Sequence, residues 1–576
     1  MHISRAGAAI AAVTLLGVTA VGLGSASAGG GGGKGPNPNG PTVDIQILAL
    51  NDFHGNLQPP SGSSGRVGTI DAGGAEYLAT HVKNLEATNP NNTIVVSAGD
   101  LIGASPLLSS LFHDEPTIEA MNSIGLDLNA VGNHEFDEGT TELLRMQNGG
   151  CHPVDGCLDG DGFGGAQFDF LAANVVNASN GRTLFPGYSI ENFNGAKVAF
   201  IGMTLEGTPT IVSPSGVAGF NFLDEADTAN AIVRDLKRRQ VEAIVVLIHE
   251  GGLPTTLNIN GCAGVSGPIV DIVNRLDAEV DLVISGHTHQ PYVCNFNGIP
   301  VTSAYSFGRV VTDIDLKVSK SQKDVVGPIT INNTIVTRTV AKDATVTSLI
   351  DRYNALAAPI ANRVIGRITA DIVRAADASG ESPLGNAIAD AQLAATVGPT
   401  VGNAVMAFMN SGGVRADLTY AGSAAGEGDG NVTYNEAFTV QPFGNSLVTM
   451  TLTGAQIETL LEQQFCGVNS TTTRILQPSA GIHYTFNAAL AGLADPGCTL
   501  DVVSGLTLNG VPVVAGNTYR VTVNSFLADG GDGFGVLIAG TDRLGGAVDT
   551  DAFEAYLTSL PGPLAPPATD RIDVTP

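Results

Sequence analysis

The sequence predicts an α/β protein built from two domains. After residue 43, short apolar runs of strand length alternate with helical patterns, which is typical of an α/β domain with buried strands. The chain of 576 residues is long enough for two to four domains. Its hydrophobic fraction of 43% is near that of globular proteins, so wholesale disorder is excluded.

Residues 1–28 are expected to be a signal peptide. Arg5 supplies a positive charge, an apolar run follows over residues 8–23, and Ala26-Ser27-Ala28 is a small-residue cleavage site. The apolar run is short for a membrane-spanning helix. We therefore expect cleavage after Ala28 and a secreted (extracellular or periplasmic) protein with no membrane anchor in the mature chain. Residues 29–41 are rich in Gly, Pro and Asn and predict a flexible linker.

The first domain is predicted over residues 42–344. Asn194-Gly195 lies between two strand patterns and is typical of a hairpin turn. The predicted strands are Ile45–Leu50, Thr93–Ser97, Val198–Met203, Ala243–Ile248 and Asp281–Ser285. The predicted helices are Glu76–Ala87, Pro116–Ile124 and Ala226–Arg239.

A helix over residues 345–362 is predicted to connect this domain to a second one over residues 363–576. The second domain is predicted to open with a strand at 364–369, and a Gly-rich loop is expected over Tyr420–Asn431. Its other predicted elements are a helix at Pro383–Ala395 and strands at Leu447–Leu452, Ile482–Phe486 and Tyr519–Asn524.

Six cysteines in an exported chain indicate disulfide bonds. Six cysteines allow fifteen pairings. We favour the three local ones, Cys151–Cys157, Cys262–Cys294 and Cys466–Cys498. None of the cysteines belongs to a C-x-x-C motif, which argues against a zinc ribbon or a thioredoxin-like function.

The net charge of −28 argues against a protein that coats nucleic acid or anionic membranes. The same negative charge would repel an anionic substrate. A locally positive site would overcome this repulsion, and such a site would favour small phosphate esters over long polyanions.

Polar side chains that bind metals follow several predicted strands directly. Ligands in open α/β sheets bind beyond the carboxyl ends of the strands, so we expect these side chains to converge there. Five of the ten histidines lie in these segments. Two metal ions held close together need nitrogen and oxygen ligands with a bridging carboxylate. The candidate ligands are Asp52, His54, Asp100, Asn133, His249, His287 and His289.

These segments, in this order, resemble the calcineurin-like metallophosphoesterase signature. The forms Asn51-Asp52-Phe53-His54-Gly55 and Gly132-Asn133-His134-Glu135-Phe136-Asp137 resemble the 5′-nucleotidase family, which includes periplasmic 5′-nucleotidase/UDP-sugar hydrolases. Segments 410–415, 441–445 and 524–534 resemble that family's C-terminal substrate domain. The resemblance covers about residues 43–575 and implies a four-layer αββα sandwich followed by a smaller α/β domain.

The resemblance also implies a role for each site residue. Asp52, His54 and His289 would hold one metal, Asn133, His249 and His287 the other, with Asp100 between them. His134 would be the catalytic histidine, oriented by Asp137. The implied substrate contacts are Arg415 to phosphate, Asn410 to the base, Phe443 and Phe526 stacked on the base, and Asp532 to the ribose.

One departure concerns phosphate binding. Family members often carry another arginine shortly before the helix that begins near Ser382, where this chain has Ala378-Ser379-Gly380-Glu381. Either Arg374 replaces it, or phosphate binding depends on Arg415 and the metals.

The resemblance implies hydrolysis of nucleoside 5′-monophosphates by attack of a metal-bound hydroxide. Two divalent ions (Mn, Zn, Fe or Co) are the expected cofactors and a small nucleotide the expected partner, with no nucleic-acid polymer, in a monomer or homodimer. Three alternatives stay open, namely a 2′,3′-cyclic phosphodiesterase/3′-nucleotidase, a UDP-sugar hydrolase and a non-catalytic metal-binding surface protein.

Overall fold

The computed structural model describes residues 40–576, except 61, 211, 213–215, 423–425 and 471–472. The predicted signal peptide and most of the linker lie outside the described residues. Among the described residues, no helix combines the length and the apolar character needed to cross a membrane.

Two six-stranded sheets form the centre of the N-terminal half. Four neighbouring strands in each sheet run parallel, and antiparallel strands flank them. The first sheet has the order Thr330–Ile335, Val310–Ser319, Thr42–Leu50, Thr93–Ser97, Leu128–Ala130, Asp169–Leu171. The second has the order Pro291–Phe296, Ile299–Ala304, Leu282–Ser285, Ile244–Ile248, Ala196–Met203, Tyr188–Phe193.

The two sheets pack face to face, and helices cover their outer faces. Alternate residues of the strands, such as Ile45, Val96, Val198 and Val245, form one buried cluster between the sheets. A second cluster lies under the helices Ala75–Glu86, Glu115–Ile124, Gly139–Asn148 and Ala344–Ala361. A third lies under Glu225–Arg238 and Pro268–Arg275. These layers form the expected αββα sandwich.

The hairpin predicted at Asn194-Gly195 is confirmed. Phe193 pairs with Ala196 across a two-residue loop. Asn194 has φ 50° and Gly195 has φ 89°, which are the positive values that a type I′ turn requires.

The helix Ala344–Ala361 packs on the N-terminal half. Val346, Ile350 and Tyr353 are buried in the same cluster as the helices beside it. The ring centroid of Tyr353 lies 4.9 Å from that of Phe112. The helix is therefore part of the N-terminal core, and the chain leaves it near Asn362.

The C-terminal half is a smaller α/β unit. A five-stranded sheet has the order Leu476–Pro478, Met406–Asn410, Thr518–Asn524, Ser446–Thr453, Thr541–Val548. A four-stranded sheet has the order Val511–Pro512, Val503–Leu508, Ile482–Asn487, Ile572–Thr575. Val364–Arg367 pairs with Asn431–Thr433. The longer helices are Pro383–Thr396, Tyr434–Val440, Gly454–Glu462 and Asp549–Ser559.

All three favoured disulfides are present, so the local pairing is confirmed: Cys151–Cys157, Cys262–Cys294 and Cys466–Cys498.

Candidate dinuclear metal centre

The seven candidate ligands lie in loops that follow the carboxyl ends of parallel strands. Five of them have positive φ angles, a region that residues other than glycine enter rarely. These five are Asp52 (50°), His54 (48°), Asp100 (51°), His287 (69°) and His289 (52°). In this conformation the chain turns sharply after each strand. The polar side chains therefore point to one common site beyond the strand ends and do not alternate between the two faces of the sheet.

Asp52, His54 and His289 form a first group. His54 Nε2 lies 3.0 Å from His289 Nε2, and His289 Nε2 lies 3.4 Å from Asp52 Oδ1. Asp52 and His54 are buried, whereas the His289 side chain is 37% exposed. This group is therefore open to solvent on the His289 side.

Asp100, His249 and His287 form a second group beside it. Asp100 Oδ2 lies 3.0 Å from His249 Nε2 and 3.6 Å from His54 Nε2, so this carboxylate stands between the groups. Asn133 Oδ1 lies 3.1 Å from His249 Nε2. The structure thus brings all seven predicted ligands together.

Backbone carbonyls fix the orientation of two of the imidazoles. His54 Nδ1 lies 2.8 Å from the carbonyl of Gly103, and His249 Nδ1 lies 2.8 Å from that of Ala98. A proton on Nδ1 satisfies each contact and leaves Nε2 free to bind a cation. Metal-binding histidines in proteins commonly have this arrangement.

Burial and neighbouring charges set the protonation of the site. Burial lowers the pKa of His54 to about 3 and that of His287 to about 4. Burial would raise the pKa of Asp52 and Asp100, but nearby histidines outweigh it and lower both. Burial would lower the pKa of His249, but Asp100 and Asp52 outweigh it and raise it to about 9, so a cation bound at this ring replaces a proton. His54, His287 and the two carboxylates already have the forms that bind divalent ions, and the nitrogen and oxygen donors fit two such ions.

His134 and Asp137 form a pair at the edge of the site. His134 Nδ1 lies 2.7 Å from Asp137 Oδ2, and the His134 backbone N–H donates to Asp100 Oδ1 at 2.9 Å. The His134 side chain is one-third exposed. Burial would lower the pKa of His134, but Asp137 and Asp100 outweigh it and raise it to about 10.

Glu135 holds these loops together, a role that was not predicted from the sequence. Its carboxylate accepts hydrogen bonds from the backbone N–H groups of Asp100, Leu101 and Gly132 at 2.7–3.0 Å. Burial raises its pKa to about 7. The sequence does place a charged residue, Glu135, inside the Asn-His-Glu-Phe segment between the predicted site residues, and this position could have indicated the role.

The predicted substrate residues gather in the C-terminal half. Asn410 Nδ2 donates to Asp532 Oδ2 at 3.0 Å, and the Arg415 guanidinium lies 5.6 Å from the centroid of the Phe443 ring. Phe443 is 40% exposed and Phe526 is 46% exposed, which is unusual for large aromatic side chains and leaves both rings available to a ligand.

Arg474 is a further member of this group that the sequence did not reveal. Its Nη1 forms an ion pair with Asp532 Oδ1. Arg374, considered above for phosphate binding, is exposed, and its backbone N–H donates to Asp417.

A cavity of about 550 Å³ lies between the two halves. His134 and Asp137 line one side, and Phe443 and Tyr434 line the other. Asn410, Arg415, Phe526 and Asp532 are not among its lining residues. In this conformation, therefore, only part of the predicted substrate set faces the metal-binding side.

Comparisons with known proteins agree with the two halves. Residues 45–291 match the family model described as calcineurin-like phosphoesterase, and residues 364–538 match the 5′-nucleotidase C-terminal domain. Cell wall protein Lmo0130 of Listeria monocytogenes is 34% identical over 551 residues, which cover 90% of this chain and 67% of that protein.

Endonuclease YhcR of Bacillus subtilis is 32% identical over 536 residues, which cover 92% of this chain but only 41% of that protein. This chain thus spans less than half of that relative. The crystal structure of a 5′-nucleotidase precursor from Thermus thermophilus superposes with a TM-score of 0.60 at 25% identity, covering 92% of this chain and 99% of the other.

Proposed function

Because this chain belongs to the 5′-nucleotidase family of calcineurin-like metallophosphoesterases, we propose that it is an exported enzyme that hydrolyses nucleoside 5′-monophosphates to nucleoside and phosphate. One observation carries the proposal. Seven nitrogen and oxygen donors converge from separate strand ends, and the His134–Asp137 pair stands beside them.

We propose that Asp52, His54 and His289 hold one divalent cation and that Asn133, His249 and His287 hold a second, with Asp100 shared. Such ions supply Lewis acidity toward phosphoryl oxygens and lower the pKa of water. The mixed nitrogen and oxygen donors suit Mn, Zn, Fe or Co. The protein's contribution is the rigid placement of the donors by the backbone carbonyls of Ala98 and Gly103.

His134 is proposed as the catalytic histidine. Its Nδ1 contacts Asp137, so Nε2 is the ring nitrogen available to the substrate. From there it stabilises negative charge on the phosphoryl group and donates a proton to the leaving ribose oxygen. Asp137 accepts the proton on Nδ1 and, with Asp100, raises the pKa of His134 to about 10 against the effect of burial, so Nε2 also carries the proton that this role requires.

The C-terminal half is proposed to hold the nucleoside. Phe443 and Phe526 stack on the base, which every base permits, so base specificity is expected to be loose. Arg415 binds phosphate, Asn410 binds the base, and Asp532 accepts hydrogen bonds from the ribose hydroxyls. The ion pair of Arg474 with Asp532 holds that carboxylate in place beside Asn410.

A substrate panel with controlled metal content tests the proposal. Chelator-treated protein is assayed before and after addition of Mn²⁺, Zn²⁺ or Co²⁺, on 5′-AMP, 3′-AMP, 2′,3′-cyclic AMP and UDP-glucose. We expect negligible turnover without metal and the highest kcat/KM for 5′-AMP after reconstitution.

A higher kcat/KM for a cyclic or 3′ substrate, or for the UDP-sugar, would replace the 5′-nucleotidase assignment with the matching alternative. Metal-independent hydrolysis would contradict the proposed metal centre. Metal binding without turnover on any of these substrates would favour a non-catalytic surface protein.

A further inference from the structure

A second cluster of metal-binding side chains lies outside the proposed active site. His113, Glu138, Glu142 and His152 place one donor atom each within 4.8 Å of all the others. None of these residues belongs to the seven proposed ligands. His113 and Glu138 also line the cavity between the two halves, next to His134 and Asp137.

The two histidines of this cluster present their rings side by side. The ring centroids are 3.8 Å apart and the planes are 13° from parallel. Burial would lower the pKa of His113, but Glu138 and Asp155 outweigh it and raise it to about 9, so a metal ion bound at this ring replaces a proton.

Asp155 defines which ring edges are available. Its Oδ2 lies 3.0 Å from His113 Nε2 and 3.3 Å from His152 Nδ1. The opposite ring nitrogens face the glutamates, with His113 Nδ1 2.8 Å from Glu138 Oε2 and His152 Nε2 3.9 Å from Glu142 Oε2. A carboxylate behind a metal-binding histidine is the usual outer partner of such sites.

The Asp155 backbone N–H donates to His152 Nδ1 at 3.1 Å, which leaves the proton of a neutral ring on Nε2. Cation binding at Nε2 therefore requires this hydrogen bond to break and the proton to move to Nδ1, where the Asp155 carboxylate 3.3 Å away accepts it. That requirement makes Asp155 the residue that decides whether His152 is a ligand.

Charge and covalent structure favour a cation here. Glu115, Glu138, Glu142 and Asp155 bring four carboxylates. Arg145 opposes them, since it pairs with Glu115 and donates to both carboxylate oxygens of Glu142. A metal ion must therefore share Glu142 with Arg145. The Cys151–Cys157 disulfide closes the short loop that carries both His152 and Asp155. The loop is thus restrained before any ion binds, which lowers the entropic cost of binding.

We propose that His113, Glu138, Glu142 and His152 form a third metal site, which takes Zn²⁺ and fastens the loop at 151–157 to the helix Gly139–Asn148. Zn²⁺ prefers four nitrogen and oxygen donors in a tetrahedron at about 2.0–2.2 Å. That geometry places donors roughly 3.3–3.5 Å apart, so a modest contraction of this cluster suffices. Four protein ligands leave no open position, so the site is structural.

Zinc counting on the full chain tests the proposal. The protein is stripped with a chelator, loaded with excess Zn²⁺, washed, and its zinc per chain is measured by mass spectrometry. We expect His113→Gln and His152→Gln each to hold one equivalent less than the wild type. His483→Gln, which changes a half-buried histidine in the C-terminal half, should keep the wild-type count.

Equal zinc counts in the wild type and in both cluster variants would overturn the third site, whatever the count at the proposed active site. Circular dichroism of each loaded variant distinguishes loss of the site from loss of the fold.

Asp155→Asn retains all four ligands and provides a second measurement. Competition with a chromophoric chelator measures its zinc affinity. The affinity for one of the bound zinc ions, the one assigned to this cluster, should fall about 10–100-fold. An unchanged affinity would contradict the role given to Asp155.

Discussion

At the scale of single residues, the proposed metal centre is built on an unfavourable backbone. Asp52, His54, Asp100, His287 and His289 all have φ near +50 to +70°. Each such residue costs of the order of 1–3 kcal/mol unless its surroundings compensate. The Glu135 carboxylate offsets part of this cost by accepting three backbone N–H groups in the loops after the strands.

Substitution of His134 tests its proposed catalytic role. We expect His134→Ala to bind the same amount of metal as the wild type, because His134 is not among the seven proposed ligands. We expect its kcat for 5′-AMP to fall about 10²–10⁴-fold, the usual contribution of a general acid. Metal analysis and steady-state kinetics measure both quantities. His483→Ala serves as control, and full activity of His134→Ala would remove His134 from the mechanism.

Asp549 predicts a pH dependence of stability. Its side chain is buried, and burial raises its pKa to about 7, whereas an unfolded aspartate has a pKa of about 3.9. Between these values the folded state binds a proton that the unfolded state releases, so this residue makes stability fall as pH rises from about 4 to 7. Each unit of difference between the folded and unfolded pKa changes the free energy of unfolding by at most about 1.4 kcal/mol.

We therefore expect Asp549→Asn to melt at a higher temperature than the wild type near pH 8, with a difference that shrinks toward pH 4. Melting curves across this range measure the effect. The exposed Asp501→Asn variant should show no such trend. A difference between Asp549→Asn and wild type that does not change with pH would contradict the assignment.

At the scale of elements, strand ends were predictable and side-chain neighbours were not. Apolar runs followed by Asp, His or Gly-Asp located the strands Thr42–Leu50, Thr93–Ser97 and Leu282–Ser285 and the site at their ends. Parallel strands share an edge, so this convergence follows from fold class alone. Which strand joins which sheet has no comparable local signal.

The contacts that the sequence missed join residues far apart in the chain. Arg474 meets Asp532, and His113 stacks on His152, without a periodic pattern in either pair. The amphipathic helix Ala344–Ala361 was predicted as a connector, yet its apolar residues do not reveal which half they pack on. Only tertiary packing decides such partners.

At the scale of the whole molecule, the proposed chemistry needs the two halves to approach each other. The metal donors belong to the N-terminal half, and the proposed nucleoside contacts belong to the C-terminal half. Because the connecting helix packs on the N-terminal core, we place the hinge of this proposed motion after it, near Asn362. The net charge of −28 then describes the body of the protein, while the proposed cations and Arg415 would make the site locally positive.

A disulfide across the cleft tests this motion. A Cβ atom at Gly444 would lie 3.4 Å from Cα of Ala104, so cysteines at these positions join the two halves. We expect the oxidised Ala104→Cys/Gly444→Cys protein to lose at least about tenfold in kcat, because closure and product release both need movement. Mild reduction should restore it.

The wild type under the same reduction controls for effects on the three native disulfides, and each single cysteine variant controls for its own side chain. Equal kcat in the oxidised and reduced double variant would show that turnover needs no relative motion of the halves.

The packing of Ala344–Ala361 also fixes where this chain can be divided. A fragment that ends before residue 344 would uncover Phe112, whose ring packs against Tyr353 of the helix, and would remove Val346, Ile350 and Tyr353 from the buried cluster. A fragment that extends to residue 361 keeps that surface covered and carries all seven proposed metal donors. We therefore expect the smallest fragment that folds alone to be longer than the two central sheets and to end near Asn362.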